Sequence, residues 1–122
     1  MKPVFLVDDS PTMLASMAGM LGQAGLAVER AVSAEAALVR LRAAPPLRLI
    51  ITDYHMPGMN GVELIREIRK LPAYRFLPIL VLTTESEQGK RDLARAAGAT
   101  GWLVKPVAAD KLLQVLQQVA PA

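Results

Sequence analysis

The chain has 122 residues, a length that fits one domain burying roughly two-thirds of the surface its unfolded form exposes. Hydrophobic residues make up 52% and charged residues 20%, which excludes a disordered or collagen-like chain. Fourteen basic against eleven acidic residues leave a net charge of +3, spread over several elements rather than gathered in the dense stripe that nucleic acid requires. Cysteine is absent and His55 is the only histidine, so disulfides, thiol nucleophiles, Cys-zinc sites and multi-His metal centres within one chain are excluded. No apolar run reaches the roughly 18 residues of a membrane span, and Met1-Lys2-Pro3 lacks a signal-peptide layout. The expectation is a soluble cytoplasmic protein with no membrane insertion and an aliphatic core.

Short apolar runs alternate with longer amphipathic ones. Val4-Phe5-Leu6-Val7 reads as a strand. Ser10-Pro11 supplies an N-cap and a first-turn proline for a helix with Met13, Leu14, Met17 and Leu21, ended by Gly25. Leu26 to Ala31 is a weaker strand. Ser33 caps a helix carrying Ala37, Leu38 and Leu41, which Pro45-Pro46 terminates. Leu47 to Thr52 is a third strand, followed by a loop from Asp53 to Asn60. Asn60 and Glu63 have capping-box spacing before a helix with Leu64, Ile65 and Ile68, whose Arg66, Arg69 and Lys70 read as a solvated face. Pro78 to Leu82 is a fourth strand. Thr84 and Glu87 form a second candidate box before a helix with Leu93, Ala96 and Ala97. Gly101 to Val104 is a fifth strand, and a last helix carries Leu112, Leu113, Leu116 and Val119.

Five strands, each followed by a helix, predict an α/β doubly wound, flavodoxin-like parallel sheet covered on both faces. In such a sheet the strand C-termini share one edge, where open α/β folds bind ligands. That edge receives Asp8 and Asp9 after the first strand, Asp53 after the third, Thr83 after the fourth and Lys105 after the fifth. With strand order 2-1-3-4-5 the first and third strands are neighbours, and three carboxylates converge. Clustered carboxylates repel one another and call for a cation. Oxygen ligands alone favour a hard ion such as Mg2+, and a carboxylate can also act as a nucleophile toward phosphorus.

Val7-Asp8-Asp9-Ser10, Thr52-Asp53-Tyr54-His55-Met56-Pro57-Gly58-Met59-Asn60-Gly61, Leu82-Thr83 and Lys105-Pro106 occur in that order. Asp9 to Asp53, Asp53 to Thr83 and Thr83 to Lys105 are separated by 44, 30 and 22 residues. On these segments the chain resembles the receiver domains of two-component response regulators, most closely the single-domain type used in chemotaxis and motility. The resemblance runs from about Val4 to Val119. It implies a single receiver domain over residues 1–122 with no output domain. It implies that Asp53 is the phosphoacceptor, charged by a partner histidine kinase or phosphotransfer protein. Mg2+ or Mn2+ would be bound by Asp9, Asp53 and the main-chain carbonyl of His55, with Asp8 acting through a water. Lys105 and Thr83 would bind the phosphoryl group, and the Lys105-Pro106 peptide would be cis. Gly61 opens the third helix beside the site loop. His55 and Glu85 sit where the family tunes hydrolysis of the aspartyl phosphate. Thr83 and Trp102 would carry the switch to the helix 4–strand 5–helix 5 face, which would bind a downstream target. Trp102 replaces the family's usual Tyr or Phe, and packing at a sheet edge is its other reading. The resemblance leaves open a monomer or a weak dimer.

Other readings of the same residues have weaker support. A phosphorelay intermediate or phosphate sink stays within the family. An aspartyl-phosphate phosphohydrolase would want an Asp-x-Asp pattern after the first strand, which Asp8-Asp9-Ser10 lacks. A flavodoxin-like FMN protein would need a phosphate-cradling first loop, where Asp8 and Asp9 would repel the ligand. Met13, Met17 and Met20 read as core and helix rim rather than a cofactor box.

Overall fold

The computed structural model describes residues 2–84 and 88–121. The elements are β1 (Val4–Val7), α1 (Pro11–Gln23), β2 (Val28–Ala31), α2 (Ala34–Leu41), β3 (Leu49–Asp53), α3 (Gly61–Arg69), a 3-10 turn (Pro72–Tyr74), β4 (Ile79–Thr83), α4 (Gln88–Ala97), β5 (Gly101–Val104) and α5 (Ala109–Val119). All strand pairs are parallel, in the order β2-β1-β3-β4-β5. The chain is therefore the expected doubly wound α/β sheet.

Strand side chains alternate between two cores. Phe5, Val7, Ile50 and Val81 face α2, α3 and α4, while Leu6, Leu49, Ile51, Leu80 and Leu82 face α1 and α5. β3 and β4 are buried along their whole length, which explains their unbroken apolar runs. β2 lies at an edge, so Glu29 and Arg30 stay exposed, and the strand is shorter than expected, Val28–Ala31. Leu26 instead donates its N–H to the Leu21 carbonyl, closing α1 after Gly25 at φ +85°.

Ser10 and Ser33 accept hydrogen bonds from Met13 N–H and Ala36 N–H, as their N-cap positions require. Both halves of the Asn60–Glu63 capping box are present. The helix after Ser33 stops at Leu41, before Pro45, and Ala44 takes a left-handed φ of 55°. The sequence reading omitted the 3-10 turn, in which Tyr74 is buried and its hydroxyl donates to the Pro45 carbonyl at 2.6 Å.

Two expectations are corrected. α4 turns Ala94 and Ala97 inward, leaving Leu93 49% exposed, because small side chains let this helix lie close to its neighbours. Arg69 is not part of a solvated face. Its guanidinium donates to the carbonyls of Gly98, Tyr74 and Leu77 at 2.6 to 2.7 Å, tying α3 to the end of α4 and to the 3-10 turn. The candidate box at Thr84 and Glu87 involves a residue outside those described.

Candidate functional site

β3 and β4 end on Asp53 and Thr83, and Asp8 and Lys105 directly follow β1 and β5, all at the same sheet edge. β1 stops at Val7, and the Asp8 N–H still pairs with the Ala31 carbonyl at 3.2 Å, so Asp8 stays buried at the rim. Its Oδ1 accepts the Ser10 N–H at 2.9 Å. Asp53 is the last residue of β3, paired with Leu82 rather than opening a loop, and is 8% exposed. Asp9 is exposed. One carboxylate oxygen from each of Asp8, Asp9 and Asp53 lies within 4.8 Å of the others.

Lys105 arrives from the far end of β5. Its N–H pairs with the Thr83 carbonyl at 2.7 Å, and the following Lys105-Pro106 peptide is cis. Its Nζ sits 3.0 Å from Asp53 Oδ1 and 3.3 Å from Asp8 Oδ2. Burial pushes the Asp53 carboxyl above its ordinary value, more than Lys105 lowers it, with Asp8 and Asp9 adding to the rise. Burial disfavours the Lys105 ammonium, but the hydrogen bond and charge of Asp53, together with Asp8, outweigh it and raise the lysine. One ammonium, paired with Asp53 and Asp8, thus sits at a cluster of three carboxylates, leaving a negative excess. An all-oxygen set of this kind suits a hard divalent cation such as Mg2+.

Thr83 ends β4 and is 1% exposed, on the strand next to Asp53. The loop after β3 is folded back by the Gly61 N–H, which donates to the Tyr54 carbonyl at 2.9 Å. A side chain at Gly61 would collide with the Asp53 carbonyl oxygen, so glycine is required for this close approach. An open cleft of about 440 Å3 lies beside Asp9, His55 and Asn60. His55 is exposed, its ring 4.7 Å from that of Tyr54. Glu85 lies outside the described residues.

Two contributors carry no role that the sequence alone assigns. Glu35, on α2, accepts the Met59 N–H at 3.2 Å and lies against Gly58, whose φ is +75°. Tyr54 was part of a recognised segment, but its place emerges only in three dimensions. Its ring meets Trp102 edge-on at 5.6 Å, joining the loop after Asp53 to β5. Trp102 is half-buried, with its indole N–H sealed from solvent.

A parallel five-stranded sheet with this acidic rim and a lysine at the end of the last strand defines a receiver-type signalling domain. The response regulator receiver domain model matches residues 4–117, and the chain belongs to that family. A chemotaxis protein CheY homolog of Campylobacter jejuni is 32% identical over 120 residues, spanning 95% of this chain and 90% of the relative. The two-component response regulator ORR11 of rice is 31% identical over 118 residues, spanning 97% and 80%. Among solved structures, the chemotaxis protein CheY4 of Vibrio cholerae superposes with a TM-score of 0.93 at 41% identity, covering 98% of each chain. The protein is a CheY-like receiver of two-component signalling. No helix among the described residues is long and apolar enough to cross a membrane.

Proposed function

We propose that this protein is a single-domain, phosphorylation-operated switch of the cytoplasm, in which Asp53 accepts a phosphoryl group from a histidine kinase or phosphotransfer protein. The observation that most supports this reading is the clustering of Asp8, Asp9 and Asp53, two of which, Asp8 and Asp53, pair with the Lys105 ammonium. An Asp53 carboxylate oxygen attacks phosphorus as the bond to the donor imidazole nitrogen breaks. The electron pair stays on that nitrogen, and a new P–O bond gives an acyl phosphate.

Negative charge on the phosphoryl oxygens needs neutralising groups fixed in advance. Lys105 is already beside the nucleophile and moves its pairing from Asp53 to the phosphoryl group. The Thr83 hydroxyl donates to a phosphoryl oxygen. Asp9, Asp53 and the His55 main-chain carbonyl would hold Mg2+ or Mn2+ directly, and Asp8 would hold it through water. When bound, such an ion supplies positive charge to the transferring oxygens. His55 and Glu85 would set the pace of the slow hydrolysis that resets the domain. Thr83 and Trp102 would pass the phosphorylated state to the face formed by α4, β5 and α5, which binds a downstream protein.

Phosphoramidate, a small donor with a P–N bond, tests the assignment. With Mg2+ it should add one phosphoryl group to the wild type and none to Asp53→Ala. Undiminished labelling of that variant would refute the assignment.

A further inference from the structure

At the sheet edge opposite the acidic rim, where β1, β3 and β4 begin and α5 ends, lies a cavity of about 610 Å3. Leu47, Leu77 and Val119 supply apolar walls, and Phe76, 90% exposed, borders it. Two cations, Lys2 and Arg48, line the same cavity, and no described lining residue carries a carboxylate. Arg48 sits just before β3, where its main-chain N–H donates to the Pro3 carbonyl at 2.9 Å. Its guanidinium Nε donates to the Ala120 carbonyl at 2.8 Å, at the C-terminal end of α5. Its Nη2 is sealed from solvent and has no hydrogen-bond partner. A buried donor without an acceptor is costly, and a carboxylate is the acceptor whose two oxygens match the edge of a guanidinium.

The walls narrow the choice of occupant. A bare inorganic anion would satisfy Arg48 but leave Phe76, Leu77 and Val119 in water. A second copy of the chain would cover Phe76, but a two-fold contact there would set Lys2 and Arg48 against their own duplicates. A cavity of this size suits a small molecule. We propose that it binds a small apolar carboxylate, aromatic or acyl. The carboxylate accepts from Arg48 with Lys2 beside it, and the hydrocarbon part lies against Phe76, Leu77 and Val119. Contact requires the half-buried Arg48 side chain to turn its unpartnered edge toward the cavity. β3 spans five residues, about 17 Å, between this end of the sheet and Asp53, so the ligand does not compete for the acidic rim. The site goes beyond the phosphorylation reading and does not depend on it.

Titration of phenylacetate and of hexanoate into the isotopically labelled protein, followed by NMR, tests it, with phenylacetamide and hexanamide as uncharged controls. At least one carboxylate should bind with a Kd of about 1 mM or tighter. It should shift the amide signals of Leu47, Arg48, Leu77 and Ala120 and the Nε–H signal of Arg48, and leave those of Asp9, Asp53 and Lys105 in place. Its amide should bind about tenfold more weakly, and Arg48→Gln should weaken the carboxylate by a similar factor. Phe76→Ala, at an exposed position, covers the case in which Arg48→Gln fails to fold by circular dichroism, and should weaken binding about fivefold. The proposal is overturned by the absence of saturable shifts, by shifts centred elsewhere, by equal binding of the amide, or by undiminished binding to either folded variant. Shifts at the same residues that grow with protein concentration and no ligand would give the face to a second copy and overturn it as well.

Discussion

At the scale of single residues, the site keeps a carboxylate where the fold would prefer a neutral group. Burial raises the Asp53 pKa, so the folded state holds that proton more tightly than the unfolded chain does. The stabilisation this gives is complete below the ordinary carboxylate range and is lost as pH rises through the elevated folded-state value. At neutral pH ionised Asp53 therefore opposes folding. Asp53→Asn should raise unfolding stability by about 1–2 kcal/mol at pH 7, with the gain shrinking at acid pH, as urea denaturation at several pH values would show. Mg2+ should stabilise the wild type and do much less for the variant. Gly61→Ala should cost about 2 kcal/mol or more, because the new methyl group meets the Asp53 carbonyl oxygen, a main-chain atom that cannot step aside. Asp8, Asp9, Asp53 and Lys105 were legible in sequence because each ends a run of apolar strand residues. Glu35 and Tyr54 were not. Their significance lies in contacts with Met59 and Trp102, 24 and 48 positions away, which no local pattern encodes.

Among the elements, those announced by capping chemistry were read closely from sequence. Ser10, Ser33 and Asn60 cap the helices they were expected to cap. α4 was legible as a helix but not in its rotation, since Ala94, Ala96 and Ala97 are the same residue type and Leu93 suggested the wrong face. Arg69 looked like surface charge because sequence alone cannot show three carbonyls converging on one guanidinium. Its ties to Gly98, Tyr74 and Leu77 make it a cross-brace between α3, α4 and the 3-10 turn. Arg69→Met should destabilise the protein by about 2–3 kcal/mol in thermal or urea unfolding, by leaving those carbonyls without their charged donor. Arg69→Lys should recover only part of that loss, because an ammonium cannot span the fan of carbonyls that the planar fork reaches.

In the molecule as a whole, the sheet has a core on each face and gathers its chemistry at the C-terminal edge of β1, β3, β4 and β5. Tyr54 links that edge to Trp102, which sits on β5 beside α4. Trp102 is the sole tryptophan, so its emission reports from this one junction. Adding Mg2+ should quench it, and beryllofluoride should change it further; a flat signal to both would contradict the coupling between rim and output face. The most direct measurement is acetyl phosphate labelling followed by borohydride reduction and peptide mass analysis, with Mg2+ or with EDTA. The expected result is a single modified residue, Asp53, formed only with the divalent ion and strongly slowed by Asp9→Ala or Lys105→Ala. Labelling at another residue, or at Asp53 with equal speed in EDTA, would contradict the account.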